Sequence, residues 1–167
     1  MQFTAREDIQ APINAVFEMV TDFERFERMA MRRGIEVRRL TGHMGVVPGT
    51  TWTTEFRLRG KPRQVEIVMA ECDPPSQMRF EATGKGLNGT TTVEFMALSQ
   101  RRTRLEVDMS LAAKSLPARL FLQSLRLGQN RFRRRFQARL SEFAREMEER
   151  HHHGIGPDLA GAAGKSC

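Results

Sequence analysis

The spacing of apolar residues changes several times along the chain, and each change marks an element. Residues 2 to 9, QFTAREDI, alternate, with Phe3, Ala5 and Ile9 on one parity, which predicts a short strand. Glu7 falls on that same apolar parity. In APINAVFEMVTD, Pro12 stands where a helix can begin, and Ile13, Val16, Phe17 and Val20 recur at helical intervals. FERFERMAMRRG repeats that spacing with Phe23, Phe26 and Met29, and Gly34 supplies a stop. From Ile35 to Ala112 the period is two. In TWTTEFRLR, Trp52, Thr54, Phe56 and Leu58 share one parity while Thr53, Glu55, Arg57 and Arg59 share the other. The same division recurs in RQVEIVMAE, QMRFEA, TVEFMA and TRLEVDMSL. Turn signals at RGKPR, DPPS, GKGLNG and SQRR are short enough for hairpins, so the segment predicts an antiparallel meander.

A long final helix follows. Ser115 can cap it and Pro117 fits its first turn, where a missing N–H costs little. Leu125, Phe132, Phe136, Leu140, Phe143 and Met147 project onto one narrow stripe, which predicts packing on the dry face of the sheet. Leu116, Leu120 and Leu127 project opposite, so the first half of this helix is apolar on two sides. A bend near Gly128 or a neighbouring loop would account for the second side. A homodimer partner, a membrane surface or a cavity mouth is the alternative.

Composition adds limits. At 167 residues and 40% hydrophobic content the chain suits one domain, placed at residues 1–150. The Gly- and Ala-rich remainder, residues 151–167, lacks periodicity and is expected to be a disordered tail. Its three consecutive histidines have no fixed geometry for a metal, and no metal or cofactor is expected. The net charge of +7 raises anionic partners as a class. The arginines of NRFRRRFQARL scatter around their helix, however, and no helix-turn-helix or RNP-like pattern accompanies them, so nucleic acid is not expected. Leu116, Leu120 and Leu127 beside Arg119 and Arg126 instead resemble an interfacial helix, for which an anionic membrane surface is the candidate partner. Only Cys72 and Cys167 are present, which is no disulfide framework. With no leader-like or membrane-crossing run, a cytoplasmic location is expected.

Candidate chemistry is sparse. An enzyme working in an apolar pocket needs an acid or base there, and the candidates are His43, in the loop GHMGVVPG, and Glu7. GKGLNG lies between strands rather than opening a helix, so it is no phosphate loop, and no nucleophile elbow can be assembled. Ligand binding draws on more residues. Trp52, Thr54, Phe56, Val65, Ile67 and Met69 fall on faces that should converge with Met78, Phe80, Phe95 and Met109 and with Phe132 and Phe136 of the helix. Methionines in that set adapt to irregular apolar shapes. Thr54 is the one polar member, able to orient a carbonyl or hydroxyl.

The order of elements resembles the START-like superfamily, also called SRPBCC or polyketide cyclase/dehydrase-like proteins. IQAPINAVFEMVTDFERFERM is similar to the family's opening, and VEIVMAECDPPSQMRFEA to its middle strand pair joined through an acidic-Pro-Pro turn. The likeness covers residues 1 to about 149. It implies an α+β helix-grip fold, in which a curved antiparallel sheet of about seven strands wraps a long C-terminal helix around an elongated cavity. It further implies a hydrophobic small-molecule ligand, such as a lipid or polyketide-like compound, with an aromatase/cyclase- or dehydrase-like reaction in the same cavity as the alternative.

Overall fold

The alternating segments pair as seven strands: β1 (Gln2–Ile9), β2 (Glu36–Arg39), β3 (Thr51–Leu58), β4 (Lys61–Asp73), β5 (Gln77–Gly84), β6 (Leu87–Ser99) and β7 (Arg102–Ala113). The computed structural model describes residues 1–41 and 45–154. All pairings are antiparallel, in the order β1-β7-β6-β5-β4-β3-β2, so β1 joins the end of the meander next to β7. The first hairpin turns through Arg59 and Gly60, both at positive φ, which matches the twist of the strands it joins. Register in β4 shifts between Met69 and Glu71, so Ala70 is an extra residue. The bulge keeps Met69 and Cys72 on the inner face, opposite Phe80 and Met78, and turns Glu71 outward to meet Arg79 at 2.6 Å.

Four helices cover the inner face: α1 (Ile13–Val20), α2 (Phe23–Arg32), α3 (Leu116–Leu127) and α4 (Gln129–Gly154). Pro12 precedes the first turn of α1, and Asp22 caps α2 by accepting from the Arg25 amide. Gly34 follows α2 at positive φ, as a helix stop requires. Val16, Phe17 and Val20 of α1 and Leu140, Ala144 and Met147 of α4 pack with Met69, Met78, Val93, Phe95 and Leu105 into one core. Each large apolar side chain sealed there contributes roughly 1.5–3 kcal/mol. The edge strand β1 runs beside α4 and is closed by side chains rather than by another strand. Gln137 accepts from the Arg6 amide and donates to the Arg6 carbonyl at 2.9 Å, and Glu148 accepts from the Gln10 amide at 2.8 Å. The opposite edge, β2, has only four residues. This is the α+β helix-grip fold that the resemblance implied.

The final helix divides at Gly128, where the sequence suggested a bend: Ser115 caps α3, accepting from the Ala118 amide, and α4 begins at Gln129. A glycine there carries no side chain to hold the turn, so the two segments are free to point differently. One expectation about the C-terminal region needs correction: helical structure does not end at Arg150, because α4 continues through His151, His152 and His153 to Gly154. The last turn is thus basic at the negative end of the helix dipole. The remainder of the expected tail, and His43, lie outside the described residues. Among the described residues, no helix is long and apolar enough to cross a membrane.

Ion pairs on the outer face add a pH dependence. The Arg104 guanidinium, hydrogen-bonded to Asp8 at 2.7 Å and aided by Arg102, holds the Asp8 carboxyl below its ordinary range. Arg79 does the same for Glu71. The folded chain therefore binds these protons less readily than the unfolded chain, and the pairs stabilise the fold above the ordinary carboxylate range. The contribution is lost as pH falls through the depressed values. Urea midpoints should accordingly drop between about pH 6 and about pH 3. A double substitution, Asp8→Asn with Glu71→Gln, should narrow that drop.

Candidate ligand-binding site

The inner face is not uniformly closed. Met69, Met78 and Met147 have no exposed surface, and Trp52 and Phe95 retain almost none. They lie toward the end covered by α1 and the C-terminal half of α4, where Phe95 meets Phe17 edge-on at 5.4 Å. Thr54, Phe56, Val65, Ile67, Phe80, Met109, Phe132 and Phe136 point inward by strand parity or helix stripe yet stay half-buried. Water therefore reaches apolar side chains on the inner face of β3, β4 and β5. The cause is the placement of α4, which follows β1 at one side of the sheet. There Phe132 covers Phe3 with ring centroids 4.4 Å apart, and Phe136 follows at 6.4 Å from Phe132.

Of the twelve residues read as lining, the structure thus separates two groups. Met69, Met78 and Phe95 belong to the sealed core, with Trp52 at its boundary. The other eight are half-buried, with Ile67, Phe80 and Phe136 packed against that core and Phe132 against Phe3. Thr54 faces inward, but its hydroxyl already donates to the Val65 carbonyl at 3.0 Å. What Thr54 can still offer a ligand is an acceptor, which suits a hydroxyl or amine better than a carbonyl. Glu7 is also engaged: one carboxylate oxygen accepts from Gln137 at 2.7 Å and from the Ser141 hydroxyl in a close contact. In this arrangement it ties β1 to α4.

Sequence reasoning missed the polar cluster at the rim of the interior. Trp52 Nε1 donates to Glu27 Oε1 of α2 at 2.7 Å, and Arg39 Nε of β2 donates to the same oxygen at 2.8 Å. Both charged side chains are about four-fifths buried, with 19% and 21% of their surface exposed. The Arg39 guanidinium lies 5.9 Å from the Trp52 ring centroid. Phe23 meets Trp52 at 5.2 Å and Phe80 at 6.2 Å, which makes an aromatic wall behind the ion pair. The available signals were the four-residue spacing of Phe23 and Glu27 on α2 and the shared parity of Val37 and Arg39.

The half-exposed end is spanned by contacts between distant segments. Arg59, at the tip of the β3–β4 hairpin, donates to Ser124 Oγ at 3.2 Å and lies 5.5 Å from the Phe121 ring of α3. At the β5–β6 turn, Gly86 accepts from the Lys114 amide at 2.8 Å. A Cβ on Gly86 would collide with Ser115 Oγ, so only glycine allows this turn to meet the α3 cap. Within α3 only Ala118 is buried, which makes it the weakly anchored element beside the opening.

Solved structures share this fold at low identity. The Zhui aromatase/cyclase from Streptomyces sp. R1128 is similar with a TM-score of 0.67 at 15% identity, covering 93% of this chain and 98% of that one. TTHA0849 from Thermus thermophilus gives 0.64 at 19% identity, covering 93% and 100%. A START superfamily protein from Mycobacterium smegmatis gives 0.55 at 14%, covering 85% and 98%. No curated protein sequence matches the chain. The family described as "Polyketide cyclase / dehydrase and lipid transport" matches residues 1–148, nearly the whole described fold. With the sheet and its gripped helix agreeing with that match, the chain belongs to the polyketide cyclase/dehydrase and lipid transport family.

Proposed function

We propose that the protein binds a hydrophobic small molecule, of lipid or polyketide-like character, on the inner face of β3, β4 and β5 beneath the β3–β4 hairpin and α3. The observation that carries this reading is the graded burial of one continuous apolar face, sealed at one end and open to water at the other. A side chain serving only stability gains by being closed over, whereas a half-exposed apolar lining leaves surface for a ligand to cover. Phe56, Val65, Ile67 and Phe80 would supply that surface, with Phe136 opposite. Thr54 and the Glu27–Arg39 pair are the polar groups placed to orient the ligand.

The lone tryptophan gives a direct test, because Trp52 borders both the polar cluster and Phe80. Purified protein should carry a hydrophobic compound detectable by native mass spectrometry. After its removal, titration with fatty acids and aromatic polyketide-like compounds should change Trp52 emission saturably. Ile67→Asp places a charge on the lining, and it should weaken that binding at least about tenfold. Saturation with the same affinity in Ile67→Asp and wild-type protein would remove the lining from the site.

A cyclase- or dehydrase-like reaction in the same cleft would need an acid or base that the ligand can touch. Glu27 is the carboxylate at the cleft rim, so turnover that survives Glu27→Gln would exclude it from such a role.

A further inference from the structure

The two ends of the molecule differ sharply in charge. Residues 56–65, 82–93 and 109–138 contain no Asp or Glu, yet they hold twelve of the 27 lysines and arginines. The rest of the chain is net acidic. The fold gathers these three segments at one end. The β3–β4 tip touches α3 through Arg59, the β5–β6 turn touches the α3 cap through Gly86, and α4 starts directly after α3. All twelve basic side chains are exposed, and among the described residues none of them forms an ion pair. Nine arginines elsewhere, Arg79 and Arg104 among them, are paired with carboxylates.

Within this basic end stand the leucines of α3. Leu116 is 70% exposed, Leu120 59% and Leu127 93%, and they share one helix stripe. On the adjoining face, Arg119, Gln123 and Arg126 line a concavity of about 190 Å³ together with Leu122 and Ala113. From these features we infer that this end docks on an anionic lipid surface. Leu120 and Leu127 enter the acyl boundary while Arg119 and Arg126 meet phosphate headgroups. Unpaired cations around projecting aliphatic side chains are complementary to a bilayer interface, negative at the headgroups and apolar below. A nucleic acid would satisfy the cations but leave the leucines in water. The inference concerns the outer surface and stands whatever occupies the interior.

Vesicle flotation tests it. Full-length protein should float with vesicles of phosphatidylcholine containing about 30% phosphatidylserine at least about tenfold more than with phosphatidylcholine alone, and less as salt rises. Leu120→Glu with Leu127→Glu, and separately Arg119→Gln with Arg126→Gln, should each reduce flotation at least about fivefold. These side chains are exposed, and an unchanged circular dichroism spectrum would show that the fold persists. Negligible flotation with both vesicle types would overturn the inference. So would flotation that the leucine substitutions leave unchanged, which would mark general adsorption of a basic protein. Trp52 titration in vesicle-free solution reads the interior independently, so failure of one proposal does not imply failure of the other.

Discussion

Met147→Ala should lower the unfolding free energy by about 3 kcal/mol, whereas Val65→Ala should lower it by about 1 kcal/mol or less. Both positions face the interior, and their difference comes from which part of it they line. Met147 has no exposed surface and packs in the core that α1 and α4 share with β4–β7. Truncating it leaves a cavity that neighbouring strands cannot close, so the loss combines transfer energy with lost dispersion contacts. Val65 is half-buried, opposite Thr54 across the β3–β4 ladder, and its side chain already meets water. Its removal enlarges a space already open to water. Urea denaturation of the two variants, with unchanged m-values, checks the contrast. The binding assay should show the reverse order, with Val65→Ala altering ligand affinity and Met147→Ala leaving it nearly unchanged at temperatures where the variant stays folded. Equal destabilisation by both would mean that the interior is one solid core.

Glu27→Ala should cost about 2–3 kcal/mol and shift Trp52 emission to longer wavelength. One carboxylate oxygen is shared by the Trp52 indole and the Arg39 guanidinium, so its removal orphans two donors at once. A fully buried pair broken on one side loses about 3–5 kcal/mol; the fifth of each side chain left in water lets solvent recover part of that here. Glu27→Gln keeps an acceptor but removes the charge, and it should fall between wild type and Glu27→Ala. Because the chain has a single tryptophan, the emission shift reports this cluster alone. Arg39→Met replaces the cation with an apolar side chain of similar length and leaves the indole bond intact. It should therefore move the emission less than Glu27→Ala does.

These two predictions sit on opposite sides of the boundary between what local pattern encodes and what packing adds. Alternation in TWTTEFRLR identified Trp52, Thr54, Phe56 and Leu58 as inward-facing, and the strand registers agree. The stripe through Phe132, Phe136, Leu140 and Met147 likewise places α4 against the sheet. Glu27 and Arg39 were not singled out by the same reading. Each is an ordinary charged residue on its own element, and only the docking of α2 on β2 and β3 makes them partners. Thr54 and Glu7 were located correctly by parity, but their hydrogen bonds to Val65, Gln137 and Ser141 depend on neighbours in other elements.

By itself, the sequence determined the elements, their inward faces, the order of the meander and the two-sided apolar character of residues 116–127. Periodicity and turn chemistry are properties of short windows, so they survive without knowledge of distant partners. Tertiary structure alone decided which half of the inner face is sealed, which charges pair, and which hairpin tips meet α3. Those outcomes turn on distances between segments far apart in the chain, and such distances follow from closing the whole sheet around α4 rather than from the spacing of residues within any one element.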